Sequence, residues 1–153
     1  MAEENVKNFL TNLSVERLVE TSDQSFDFLK NNFGGVNWNQ DNLKNFLSSP
    51  NNILLVAKSG DKGLGFLRSY FLPRYDNKGT EILLHEIDVL PSYQKQGVAT
   101  FLIEKLKEIA TQNQISEIWL VTNRSNIAAM ALYEKTGGKA PSNDDVVFVY
   151  EKL

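Results

Sequence analysis

A chain of 153 residues, 42% hydrophobic and 23% charged, has the size and make-up of one globular domain with its own core, which excludes disordered and fibrous classes. Its 16 basic and 19 acidic residues leave a formal charge of −3, so the basic footprint that nucleic acid or an anionic membrane needs is missing, while a cationic substrate suits it. With no cysteine and a single histidine, disulfides, thiol nucleophiles, thiolate metal sites and a multi-histidine zinc are excluded, and no metal is expected.

In chain order, the opening MAEENVKN has neither a basic n-region nor a long apolar run, so no signal peptide is expected. Residues 1–12 read as a loosely held arm of a single 1–153 domain, and no window reaches the length of a membrane span. With the missing cysteines, this reads as a soluble protein of the reducing cytoplasm. Val15 to Val19 reads as a first strand. Ser22 or Asp23 can cap a helix carrying Phe26, Leu29 and Phe33, ended by Gly34-Gly35. A short helix with Leu43, Phe46 and Leu47 follows, and Ser48 to Asn52 is a break. Ile53 to Ala57 and Leu64 to Leu72 read as strands joined by a turn at Ser59 to Gly63, with Glu81 to Leu90 a further strand after a turn at Pro73 to Gly79. From Gly97 to about Asn113 apolar residues fall at helical spacing. Ile115 to Thr122 reads as a buried strand, Asn126 to Thr136 as a helix stopped by Gly137-Gly138, and Val146 to Tyr150 as a last strand. Hairpins first and helices after the later strands predict a mixed α/β sheet covered on both faces.

The most informative stretch runs from Val89 to Thr100. A strand ends, the chain turns at Pro91-Ser92, and small residues open a long helix. The first amides of a helix lack intrahelical partners and sit at its positive end, which suits phosphate, and Gly97 and Ala99 put no bulk in the way. The Walker sequence is absent. Gln94, two residues, Gly97, one residue and Ala99 resemble the signature of the GNAT superfamily of N-acetyltransferases. The run Asn126-Ile127-Ala128-Ala129-Met130-Ala131-Leu132-Tyr133, followed by Gly137-Gly138, resembles the family's second motif.

The resemblance, which spans residues 81–138, implies a mostly antiparallel mixed sheet splayed between strands four and five, with acetyl-CoA as co-substrate. By it, Gln94, Lys95, Gln96, Gly97, Val98, Ala99 and Thr100 form the cofactor loop, with amides from Gln96 to Thr100 on the pyrophosphate. Val89 and Leu90 would pair with the pantetheine like an added strand, and Asn126 would bond to its arm.

Acetyl transfer from a thioester needs a neutral amine, a polarised carbonyl and a protonated leaving sulfur, with proximity supplying much of the rate. The family places a tyrosine at Tyr133, which is expected to be the acid; packing beside Leu132 is the alternative. Glu86 and Asp88 stand in an apolar strand where carboxylates are costly unless paired or facing a cleft. Glu86 is expected to be base or amine anchor with Asp88 its support, and an ion pair with Arg68 or a lysine is the alternative. His85 would point away from Glu86 in a regular strand and reads as a core residue. Arg68, Tyr70, Arg74 and Asp76 read as solvated turn residues. Phe33, Trp38 and Tyr75 could line a substrate mouth, Trp38 foremost, or belong to the core.

Within the superfamily, the Glu86-Ile87-Asp88-Val89 strand, the Thr122 to Asn126 segment and the Asp145 to Tyr150 ending resemble the aminoglycoside 3-N-acetyltransferase branch. The ribosomal-protein N-terminal acetyltransferases share the Asn126 and Tyr133 spacing, but the glutamate they carry five residues before the asparagine is Val121 here. The expected partner is a small amine substrate, with a protein or peptide amine, or a non-catalytic acyl-CoA-binding module, as alternatives. Nucleic acid and membrane are not expected. The sequence is silent on oligomeric state, with a homodimer kept open.

Overall fold

Ser22 begins the first helix because its hydroxyl accepts from the Ser25 amide while the Ser25 side chain takes the Ser22 amide, a reciprocal cap worth about 1 kcal/mol. The computed structural model describes residues 12–144 and 146–151. The expected arm at residues 1–12 lies outside them but for its last residue. The described chain falls into two compact units that divide between Val121 and Thr122.

The first unit runs β1 (Leu13–Leu18), α1 (Asp23–Asn32), α2 (Gln40–Ser48), β2 (Asn52–Ser59), β3 (Lys62–Pro73), β4 (Thr80–Val89), a 3-10 turn (Pro91–Tyr93), α3 (Val98–Gln112) and β5 (Ile118–Trp119). The strands form one sheet in the order β1-β2-β3-β4-β5. The first four are antiparallel neighbours, and β5 lies parallel to β4. This is the GNAT-type mixed sheet that the resemblance implied. Its splay is visible in the β4–β5 ladder, which holds only Ile82↔Ile118 and Leu83↔Trp119. Beyond Leu83 that edge of β4 has no strand neighbour among the described residues. Ile115 to Thr122 is therefore far shorter as a strand than expected, and it is not buried, since Trp119 is 38% and Val121 64% exposed.

Each face of the sheet carries its own helices. Leu54, Val56 and Phe66 pack with Leu29 of α1, with Phe33 that caps its end, and with Leu43 and Leu47 of α2. On alternate positions, Leu55 stands beside Leu67 and Leu67 beside Ile87, facing away from α1 and α2. The α3 helix buries Val98, Leu102, Leu106 and Ile109, a stripe at helical spacing that packs on β1 to β4. Gly65 lets β3 and β4 close up, because a Cβ there would come within 2.6 Å of the Asp88 carbonyl.

The second unit contains α4 (Ile127–Lys135). Asn126 caps it, its side-chain oxygen accepting from the Ala129 amide at 3.1 Å. Arg124 ties the loop before α4 to the carbonyl of Ser142 and to Asn143. The last strand expected over Val146 to Tyr150 is not formed: those residues have no strand pairing and are exposed. Alternating β-branched and aromatic residues fit a pleated sheet, but a strand also needs a partner edge.

Candidate active site

One extra residue in β4 decides how the acids are displayed. Arg68 stands opposite Glu86, yet Ser69 stands opposite Leu84, so His85 is a bulge. From Glu86 to Val89 the register is regular, with Leu67↔Ile87 and Phe66↔Asp88. Glu86 and Asp88 therefore share a face, that of Phe66, Arg68, α1 and α2. The bulge also turns His85 to this face. Its Nδ1 lies 2.9 Å from Arg68 Nη2, and its ring stands edge-on to Tyr70 with centroids 5.8 Å apart. The expectation that His85 is a core residue pointing away from Glu86 is thus overturned: it is exposed, and both contact one guanidinium.

Arg68 Nη2 is 3.1 Å from Glu86 Oε2, with side chains 35% and 42% exposed. The alternative of an Arg68 partner for Glu86 is realised, in a half-exposed pair rather than a buried one. Asp88 is exposed. Arg68 and Tyr70 are mid-strand residues of β3, not turn residues. Arg74 and Asp76 are the turn residues, joined at 2.6 Å, and the Arg74 guanidinium holds the Asp76 carboxyl below its usual value.

Trp38 reaches the acidic face through Phe66, the residue beside Asp88. Its ring stands edge-on to Phe66 at 5.9 Å, and its Nε1 donates to the Phe33 carbonyl at 2.9 Å. Phe33, by contrast, is buried core, and Tyr75 lies fully in solvent. Of the three aromatics, only Trp38 is half-buried on the acid-bearing face.

The loop after β4 is shaped by its own side chains. Leu90 donates its amide to Leu64 at 2.9 Å and its carbonyl accepts from Tyr93 at 2.8 Å. The Gly65–Val89 rung beside it is accordingly a non-bonded one, and the polar groups of Val89 face the open edge of β4. There Gln94 Nε2 donates to the Val89 carbonyl at 3.0 Å. Gln96 closes the next turn on Ser92 at 2.9 Å. Lys95 and Gly97 take left-handed conformations, φ 60° and 89°, and Gly97 caps α3 without any side-chain bond to its first amides.

The amides of Val98, Ala99 and Thr100 thus open α3 with no capping side chain, at the positive end of a helix of 15 residues. That fits a phosphate group. A Cβ on Gly97 would meet nothing within 4 Å. The positive φ by itself asks for glycine there.

In the second unit, Tyr133 is half-buried on α4, and burial pushes its phenol above the usual value. Asn126 uses its side-chain oxygen as the helix cap, so its amide nitrogen is the group it could offer a ligand. Among the described residues, no group of three or more acidic or histidine side chains is placed to hold a metal, and no helix is long and apolar enough to cross a membrane.

Residues 16–138 match the acetyltransferase (GNAT) family. A stretch of 57 residues is 40% identical to the [ribosomal protein bS18]-alanine N-acetyltransferase of Escherichia coli (strain K12), covering 37% of this chain and 38% of that relative. The fold is similar to a crystal structure of an aminoglycoside acetyltransferase from an uncultured soil metagenomic sample in complex with trehalose, with a TM-score of 0.78 and 25% identity over 94% of this chain and 97% of that one. It is also similar to an aminoglycoside 6′-N-acetyltransferase in complex with CoA, with a TM-score of 0.72 and 17% identity over 92% and 95% of the two chains.

Proposed function

The chain belongs to the acetyltransferase (GNAT) family and is an acyltransferase, and from that premise we propose that it uses acetyl-CoA to acetylate a primary amine on a small, cationic, aminoglycoside-like molecule by direct attack in a ternary complex. The observation that carries this reading is the placement of Glu86 and Asp88 together on the α1/α2 face of β4. A turn of eight residues joins Val89, where that strand ends, to an uncapped helix start at Val98.

The amides of Val98, Ala99 and Thr100, with Lys95 and Gln96 beside them, are suited to hold the pyrophosphate, and Val89 offers backbone groups to the pantetheine. Asn126 contributes its amide nitrogen. Bound acetyl-CoA supplies the activated acyl thioester. Glu86 anchors the substrate ammonium and takes its proton, with Asp88 holding the local field negative. The neutral nitrogen then forms its bond to the acyl carbon as the carbon–sulfur bond breaks. Tyr133, kept protonated by its burial, gives its proton to the sulfur, and the new amide nitrogen loses its second proton to solvent. Glu86 releases and Tyr133 regains a proton from solvent before the next turnover. No enzyme-bound acyl group is needed, in keeping with a chain without cysteine.

A second reading is favoured by the local identity to the bS18-alanine enzyme: an N-terminal amine of a protein or peptide. Val121 stands where that group carries its glutamate, which favours the small-molecule reading. The deciding experiment follows CoA release with aminoglycosides, polyamines and alanine-started peptides in parallel. Release with an aminoglycoside and none with the peptide supports the first reading. Whether the acetylated amine is at the 3 or the 6′ position follows from the product's structure. Fractionation of the native host tests a cytoplasmic location, and size-exclusion chromatography with light scattering tests a homodimer.

A further inference from the structure

The sequence's single histidine is held by a contact that selects one of its two tautomers. Arg68 Nη2 approaches both His85 Nδ1, at 2.9 Å, and Glu86 Oε2, at 3.1 Å. A guanidinium has only hydrogens to offer. For this contact to be a hydrogen bond, Nδ1 is the nitrogen with the lone pair and the ring proton sits on Nε2. The ring is steadied from the other side by Tyr70, which in turn stands edge-on to Phe46 of α2 at 5.8 Å. Arg68 Nε is buried without a partner, a cost that the two Nη2 contacts offset.

We propose that Arg68 is a positioning residue of the amine site, which locks His85 as an Nε2–H hydrogen-bond donor and holds the Glu86 carboxylate beside it. This deepens the acetyltransferase reading and its catalytic half rests on it. A histidine next to a catalytic carboxylate invites assignment as a second base. Here the ring's lone pair is already taken by Arg68, so His85 donates and Glu86 alone accepts. The substrate matched by such a pair is an amine bearing an oxygen with a free lone pair, such as a neighbouring hydroxyl, to meet the Nε2–H.

Because the chain has one histidine, the imidazole ¹⁵N spectrum reports on His85 without assignment. The wild type is expected to show the Nε2–H tautomer alone. Arg68→Met, which keeps the apolar stem and removes the donors, should release a mixture of both tautomers. With sisomicin as the probe amine, Arg68→Met should also lower kcat/KM by about tenfold, the size of one lost hydrogen bond to a charged group. Acetyl-CoA affinity should be unchanged. His85→Gln, whose amide can accept from Arg68 and donate onward, should lose clearly less than His85→Phe, which should match Arg68→Met.

An Nδ1–H wild type, or a tautomer untouched by Arg68→Met, overturns the proposal. So does His85→Gln as damaging as His85→Phe, since that is the mark of a base. The tautomer measurement needs no turnover. A locked Nε2–H with no CoA release from any amine therefore overturns the proposed function, and the catalytic role with it, while the lock itself stands.

Discussion

Gln94 folds its side chain back onto the strand it follows, giving its Nε2 proton to the Val89 carbonyl at 3.0 Å. The residue that opens the loop motif thus acts on the shape of the turn between β4 and α3. Gln94→Leu is expected to keep the fold and weaken CoA binding by about tenfold, as one hydrogen bond is lost. Calorimetry with CoA would measure this, and an unchanged dissociation constant would return Gln94 to the solvated surface.

Gly97 carries a heavier constraint, since φ 89° is left-handed. Gly97→Val should cost about 1–2 kcal/mol of stability through backbone strain and weaken CoA binding beyond that loss. For the wild type, CoA at a hundred times its dissociation constant should stabilise by about 2.7 kcal/mol, with dephosphorylated pantetheine doing much less. Equal melting shifts with the two ligands would remove the start of α3 as a phosphate cradle.

Tyr133 is tested by removing one oxygen. Tyr133→Phe should leave CoA affinity intact and lower kcat by about a hundredfold, the usual size of a general-acid contribution. An acid works while protonated, and burial raises this phenol's pKa. The alkaline loss of kcat is thus expected above the pH where a free tyrosine ionises, and that limb should vanish in the variant. A variant with full kcat assigns Tyr133 to packing.

For the acids, Glu86→Gln should lower kcat/KM for the amine by about a hundredfold while acetyl-CoA still binds. Its half-exposed pair with Arg68 is worth about 0–1 kcal/mol at most, so thermal stability should hardly move. Asp88→Asn should lose less. Loss with Asp88→Asn and retention with Glu86→Gln would exchange the two roles, and full turnover in both would place the amine elsewhere.

Much of this arrangement was legible in the sequence. The helix after Val89, the hairpins before it and the mixed sheet follow from periodicity and turn residues alone. The extra residue at His85 was not legible, because a bulge leaves an apolar pattern looking regular on either side while reversing which face follows. Arg68 was read in two ways, as a partner for Glu86 and as a turn residue, and only the first holds. Counting back from the turn with Pro73 opposite Thr80 sets residue 68 against His85, and the bulge moves it to Glu86. Val146 to Tyr150 failed for a different reason: β propensity describes fit to a sheet, and supplies no neighbour.

The short β4–β5 ladder has a consequence for the protein's solubility. A strand edge that runs on past its neighbour is a template on which another chain can lay itself, the first step toward aggregates. Beyond Leu83 the part of β4 that has no strand neighbour among the described residues also carries His85, Glu86 and Asp88. Charged side chains along an edge discourage such pairing. The carboxylates proposed to draw in an amine therefore also guard the gap against polypeptide, and neutralising both at once should make the ligand-free protein more prone to self-association than either change alone.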